Sequence, residues 1–239
     1  SEILAAAMQD YKRAIVIGSK QTYGKGTVQN IIDLNRMIRS NTNGDMGAFK
    51  FTTQKYYRIN GGSTQLEGVK SDVVIPDRYS YIDIGEKDQE NPLPWDKIDA
   101  VDYDVWSNYF DYETTITKSK ARMANNEQLK LIDANAQWLK KISDREIYSL
   151  NYAEYKKEMS LNEEEAKRFE KLSQYKTDLT FSSLPYELKL MDKDSILMEK
   201  RNRWHVSLAK DVYIEEALNV LNDLKMTYAI KAKVANVKN

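Results

Sequence analysis

The chain has 239 residues, enough for one large or two ordinary domains with sizeable cores. Its 36 basic and 36 acidic residues cancel to a formal charge of +0, so no global field draws it to nucleic acid or to an anionic membrane. With 0 cysteines and the single His205, disulfides and thiolate metal sites are excluded, and a His-rich zinc site or a Ser-His-Asp triad within these residues is disfavoured.

No run approaches the ~20 apolar residues of a membrane-spanning helix. Ser1 opens a helix of mixed polarity rather than a signal peptide, which says nothing about export. Residues Ser1 to Lys12 predict a helix whose apolar face carries Ile3, Leu4, Ala7 and Met8, with Ser1 read as its N-cap in preference to a replacement nucleophile. Arg13 to Ile17 predicts a short buried strand ending at Gly18. Ser19 to Gln29 is then a polar loop in which Lys25 lies between Gly24 and Gly26, and it runs into the strand-like Thr27-Val28-Gln29.

A lysine among glycines after a strand invites comparison with a phosphate-binding loop, and the spacing fails that test. The loop needs four residues between the first Gly and the Gly-Lys pair and a hydroxyl directly after the Lys. Here five residues separate Gly18 from Gly24, and Gly26 stands where the hydroxyl should be. Two glycines also let other backbone approach closely, so an amine can be buried there. Burial disfavours the ammonium form and can lower a lysine pKa by about 3–5 units, which makes a base able to activate a serine hydroxyl. On spacing alone the ordinary alternative, a solvated surface lysine and a water-facing Gln29, stays open.

Further along, Asn30 to Leu34 continues an apolar strand, and Asn43-Gly44 marks a tight hairpin. Ala48 to Ile59 predicts a strand rich in Thr, Tyr and Phe, the turn Asn60-Gly61-Gly62 ends it, and Gly68 to Pro76 predicts a last strand. From Asp77 to Asp104 the pattern fades, with Asn91 to Trp95 expected to dock because an indole is costly to leave in water.

The remainder predicts helices. They cover Thr115 to Asn125, Glu127 to Ile142 (Leu129, Ile132, Ala136, Leu139), Ser149 through Met159, Ser160 to Tyr175, and Asp211 to Met226 with an Asp211 cap. In the last of these Val212, Ala217, Leu218, Leu221 and Leu224 form the expected inner face. Leu184-Pro185 is expected to break the series, His205 to be partly buried, and Ala229 to Asn239 to form a basic, frayed tail. Runs such as Glu163-Glu164-Glu165 and Lys140-Lys141 read as solvated helix faces.

The stretches SEILAAAMQDYKRAIVIG and TYGKGTVQ closely resemble the C-terminal-processing, or tail-specific, peptidases, which use a Ser-Lys dyad. QKYYRINGGSTQLEGVKSDVVIP, the NPLPWDKID passage and SLNYA at Ser149 to Ala153 extend the resemblance through most of the chain. It implies that Lys25 is the general base and Gln29 its supporting amide. Ser1 aligns with the second serine of the family's Ser-Ala-Ser-Glu-Ile run, so the resemblance places the nucleophile two residues before Ser1 and implies an inactive fragment.

The implied fold class is α+β: residues 1–80 as the C-terminal part of a crotonase-like α/β protease core, 81–105 as a connector, and 106–239 as a mostly α-helical domain that helps wall a bowl. No cofactor is implied. The implied partners are protein or peptide substrates held by their C-terminal tails, upstream PDZ and protease-core segments, and a lipoprotein adaptor, in the periplasm or cell envelope. The competing reading is a non-catalytic module that binds an adaptor or another subunit, with Trp95, Trp106, Trp138 and Trp204 as apolar faces for packing or for a partner.

Overall fold

A computed structural model describes residues 1–38, 41–42, 44–106 and 110–237, and its chain forms two compact units. The first comprises Ser1–Val16, Lys20–Asp72 and Asp83–Ser107, the second Ile17–Ser19, Val73–Ile82 and Asn108–Asn239. Helices and short strands occur in separate stretches of one chain, so the fold class is α+β.

The first unit begins with helix α1 (Glu2–Asp10). Ser1 occupies its N-cap position, yet its side chain makes no capping hydrogen bond, which corrects the expected cap. The apolar face also differs from expectation. Ile3 and Leu4 are exposed, while Ala6 and Asp10, one turn apart, face inward. What turns that face inward is an ion pair: the Arg58 guanidinium donates to Asp10 Oδ1 at 2.5 Å and to Oδ2 at 3.0 Å, with a further bond to Gln9 Oε1 at 3.0 Å. Side-chain exposure of 17% for Arg58 and 6% for Asp10 removes most of the water that would weaken the pair.

The strand expected at Arg13 to Ile17 shrinks to β1 (Ile17–Gly18). The reason lies in where the backbone donors go. Arg13 N–H and Ala14 N–H both bond Met8 O at 2.8 and 3.2 Å, closing α1 through Lys12 at φ +54°, and Val16 N–H is taken by the Asp72 carboxylate at 2.7 Å.

Strand β2 (Thr27–Asp33) runs into a single turn, α2 (Leu34–Met37), and pairs antiparallel with β3 (Ala48–Lys55). The Asn43-Gly44 expectation falls partly on residue 43, outside the described residues. β3 ends before the predicted Ile59: Tyr56 N–H still bonds Gly26 O at 3.1 Å in register with the ladder, but Gly26 N–H goes to Gln65 Oε1 at 2.8 Å, and Arg58 N–H bonds Gly62 O at 2.7 Å. The passage after Asp83 is tied to this unit by hydrogen bonds, but the expected burial of the Trp95 ring is corrected, since the residue stays 39% exposed. Trp95 Nε1–H donates to Ser63 O at 3.0 Å, Ile98 N–H and Val101 N–H bond Gly61 O and Ile59 O, and the Arg13 guanidinium lies 3.6 Å from the Trp106 ring centre.

In the second unit β1 pairs in parallel with β4 (Val73–Val74), all that forms of the strand expected from Gly68 to Pro76. The helices are α3 (Tyr112–Ala124), α4 (Glu127–Ser143), α5 (Tyr152–Lys167), α6 (Pro185–Met191), α7 (Ser195–Leu208) and α8 (Val212–Val237). The two helices expected between Ser149 and Tyr175 are one helix, α5, followed by a 3₁₀ segment at Arg168–Gln174. Pro185 opens α6 rather than breaking the series, since a proline at the first helical position has no intrahelical N–H to lose. Asp211 caps α8 as predicted, accepting from Tyr213 N–H at 2.8 Å and Ile214 N–H at 3.2 Å. His205 is half-buried on α7, and α8 runs on to Val237, through most of the expected tail.

The inner face of α8 is Val212, Glu216 and Val220, while the predicted Leu218 and Leu221 are exposed. A buried ionic cluster decides that rotation. Glu216, 6% exposed, accepts from Ser119 Oγ at 2.6 Å and from Arg122 on α3, whose guanidinium also reaches Asp223 at 2.6 Å. Leu129, Ala136, Phe169, Met191, Val73 and Ile75 supply the apolar core.

Two predictions follow from these buried polar groups. Asp10→Ala strands the Arg58 guanidinium and should destabilise the chain by about 3–5 kcal/mol in urea unfolding; a loss under about 1 kcal/mol would show that the pair contributes little. Burial, with the Glu215 charge, pushes Tyr175 up to about 12, and burial with the charges of Asp77 and Asp211 pushes Tyr213 to about 12. Phenols raised in the folded state stabilise it fully below the unfolded value of 10.0, and that stability is lost as pH rises through about 12. The thermal midpoint should therefore fall between these limits, and Tyr213→Phe should flatten the fall; parallel curves for the two proteins would contradict the assignment.

Candidate functional site

The loop carrying Lys25 belongs to the first unit, and every backbone donor and acceptor of Gly24, Lys25 and Gly26 has a partner. Glu2, in the first turn of α1, accepts from Gly24 N–H at 2.8 Å, from Lys25 N–H at 3.0 Å and from the Thr22 hydroxyl. Lys25 O accepts from Tyr56 Oη at 2.5 Å and from Thr64 Oγ1 at 3.3 Å. Gly26 N–H donates to Gln65 Oε1 at 2.8 Å, Gly26 O accepts from Tyr56 N–H, and Gly24 O accepts from Leu66 N–H at 2.8 Å.

The two glycines are required by this crowding. Gly24 sits at φ +92° with Leu66 backbone 3.1 Å from where a Cβ would lie, and a Cβ on Gly26 would meet Gln65 N and Ser63 Oγ at 2.7 Å. The sequence expectation of close approach at Gly-Lys-Gly thus holds. Lys25 is half-buried as a residue, between the buried Gly24 and Gly26, and its side chain extends toward Gln29.

Lys25 Nζ donates to Gln29 Oε1 at 2.5 Å, so the structure brings together the two residues singled out from the sequence. Gln29 is the third residue of β2, and the ladder slips there. Val28 pairs with Gln54 and Gln29 with Thr52, leaving Thr53 as the extra residue of a bulge. Such a bulge bends the strand where the amide must reach back to the loop. A neutral amide orients an amine without adding a charge that would favour the ammonium form.

Glu2, Tyr56, Thr64 and Gln65 were not found by sequence reasoning. Glu2 reads only as an acid in a first helical turn, favoured by the helix dipole, and nothing in the spacing of the other three marks them. Burial pushes the Tyr56 phenol up; its hydrogen bond with Thr64 acts the other way, and the Glu2 charge adds to the rise. Tyr56 therefore stays a neutral donor to Lys25 O through the physiological range. Among the described residues no three His, Asp or Glu side chains converge as a metal site, and no helix is long and apolar enough to cross a membrane.

Residues 1–75 match the family model of peptidase family S41, and residues 79–226 match the model described as the C-terminal domain of tail specific protease. A tail-specific protease of Haemophilus influenzae is 39% identical over 178 residues, covering 73% of this chain and 25% of that protein. A carboxy-terminal-processing protease of Bartonella bacilliformis is 41% identical over 88 residues, 35% of this chain and 18% of that protein. A protein named as a probable CtpA-like serine protease in Staphylococcus epidermidis is 30% identical over 176 residues, 68% of this chain and 33% of that protein. The chain therefore spans at most a third of the length of these relatives. Two adjoining family matches that together run from Ser1 to Met226, and relatives of one description, place the chain in the family of tail-specific, C-terminal-processing serine peptidases.

Proposed function

We propose that this chain is the base-bearing C-terminal portion of a tail-specific serine endopeptidase, with Lys25 as general base and Gln29 as the amide that orients it. The observation that carries this reading is the 2.5 Å bond from Lys25 Nζ to Gln29 Oε1, on a loop whose backbone is tied by Glu2 to the first turn of α1. In the family motif the nucleophilic serine lies two positions before Ser1, so this helix start is where its hydroxyl would stand. Lys25 would take the hydroxyl proton as the serine attacks a peptide carbonyl, and would return it to the leaving amine.

Residues 1–80 then form the end of the protease core, 81–105 a connector and 106–239 a helical domain. Substrates would be proteins captured by their C-terminal tails through an upstream PDZ domain, in the periplasm or at the cell envelope. A second role for the helical half, as the docking surface of a lipoprotein adaptor, is favoured by the exposure of Ile147, Leu150 and Tyr152, at 84%, 103% and 75%.

In the full-length protein, Lys25→Ala should lower turnover of a peptide with a free apolar C-terminus by about 10²–10⁴-fold without unfolding the chain. The 239 residues alone should not hydrolyse it. Turnover retained on loss of the amine would overturn the assignment. Glu2→Gln places an amide N–H against Lys25 N–H or Gly24 N–H and should lower kcat by more than it raises KM; unchanged kcat would show that the loop holds its place without the carboxylate.

A further inference from the structure

Gln65 is fully buried beside the loop, with 0% exposure, and both ends of its amide are used. Oε1 accepts from Gly26 N–H at 2.8 Å, and Nε2 donates to Leu93 O at 2.9 Å, with Glu86 Oε1 further off at 3.5 Å. Only one orientation of the amide satisfies both neighbours, since Gly26 offers a donor and Leu93 an acceptor. The backbone of Gln65 is held too, by its own N–H bond to Ser63 Oγ at 3.0 Å, and Ser63 O accepts from the Trp95 indole. The Asn91 to Trp95 passage therefore bears on the Gly-Lys-Gly loop through one buried amide.

We propose that Gln65 is a positioning residue for Lys25: by gripping the peptide that follows the lysine, and by being gripped by Leu93, it sets where the amine stands. This inference rests on the reading of Lys25 as the base. The alternative for any buried glutamine is that it merely satisfies two backbone groups and stabilises the fold. The geometry separates the two roles. The bond from Gln65 is to the peptide N–H adjacent to Lys25, and the absence of a Cβ on Gly26 lets the Gln65 backbone come within contact of the loop. A loop released at Gly26 N–H keeps its fold through Glu2 and through the bonds of Tyr56 and Thr64 to Lys25 O, but that peptide loses its link to the Leu93 passage.

The experiment uses the full-length protein and three variants, Gln65→Met, Gln65→Glu and Lys25→Ala, assayed on a peptide with a free apolar C-terminus while circular dichroism follows the folded fraction. Gln65→Met keeps the length of the side chain and loses both bonds, so kcat should fall roughly 10–100-fold while KM changes little. Gln65→Glu supplies a pH-dependent rescue. When protonated, the introduced carboxyl can accept from Gly26 N–H and donate to Leu93 O as the amide does. When ionised it loses the donor and faces both Leu93 O and the Glu86 carboxylate.

Burial and the Glu86 charge raise the pKa of such a group, to about 8–9 in known buried carboxyls, so the ratio of this variant's kcat to wild type should be near one at about pH 6 and should fall by about pH 9 with the folded fraction unchanged. A kcat for Gln65→Met within about twofold of wild type, or a ratio for Gln65→Glu that does not change with pH, overturns the positioning role. If Gln65→Met does not fold, the ratio for Gln65→Glu decides. Activity retained in Lys25→Ala would instead overturn the reading of the base, whatever the Gln65 variants do.

Discussion

A single carboxylate organises the candidate site. Glu2 gathers Thr22, Gly24 and Lys25 onto the first turn of α1, and without it the successive N–H groups of Gly24 and Lys25 would have no partner from that helix. Three further side chains, from Tyr56, Thr64 and Gln65, close the opposite side of the loop. A glycine-flanked lysine is intrinsically the most mobile kind of loop residue. Here the conformational freedom is removed by hydrogen bonds to residues as far along the chain as Gln65 and Leu66 rather than by local propensity.

The same physics recurs in the helical unit. Glu216, Ser119, Arg122 and Asp223 hold α3 to α8 through charge-assisted hydrogen bonds in which the carboxylates are largely buried and the guanidinium is partly exposed. Hydrogen bonding to Glu216, partly opposed by burial, raises the Arg122 pKa further, so the cation persists at any accessible pH. Buried ionic groups of this kind add less net stability than an apolar core of equal volume, but they penalise every helix rotation that would leave a charge unpaired. This explains why α8 turns Val212, Glu216 and Val220 inward and leaves Leu218 and Leu221 in water.

Much of the element order was legible. α1, β2, α3 and α4 appear where periodicity and composition place them, and Asp211 caps α8 as its residue type suggests. Strand lengths were not legible. Arg13 to Val16 and Tyr56 to Ile59 have strand-like composition, yet the donors of the first go to Met8 O and the Asp72 carboxylate, while beside the second Gly26 N–H is taken by Gln65 Oε1 and Arg58 N–H by Gly62 O. β-propensity describes side chains that suit a pleated surface and cannot foresee a competing acceptor brought in from a distant segment. The reading of Ile3 and Leu4 as an inner face failed for a related reason, since an arginine 48 residues away from Asp10 chose which side of the helix is buried.

By itself the sequence determined the family, the α+β class, the Gly-Lys-Gly loop and the pairing of Lys25 with Gln29 as candidates, because these depend on residue identity and short spacing. Only the tertiary structure decided that Glu2, Tyr56, Thr64 and Gln65 surround that lysine, that Lys25 is half-buried, and that the passage around Leu93 and Trp95 bears on the loop. The physical reason is that hydrogen-bond partners are selected by distance in space: a buried amide 40 residues from Lys25 has no periodicity and no local signal until the chain has folded around it.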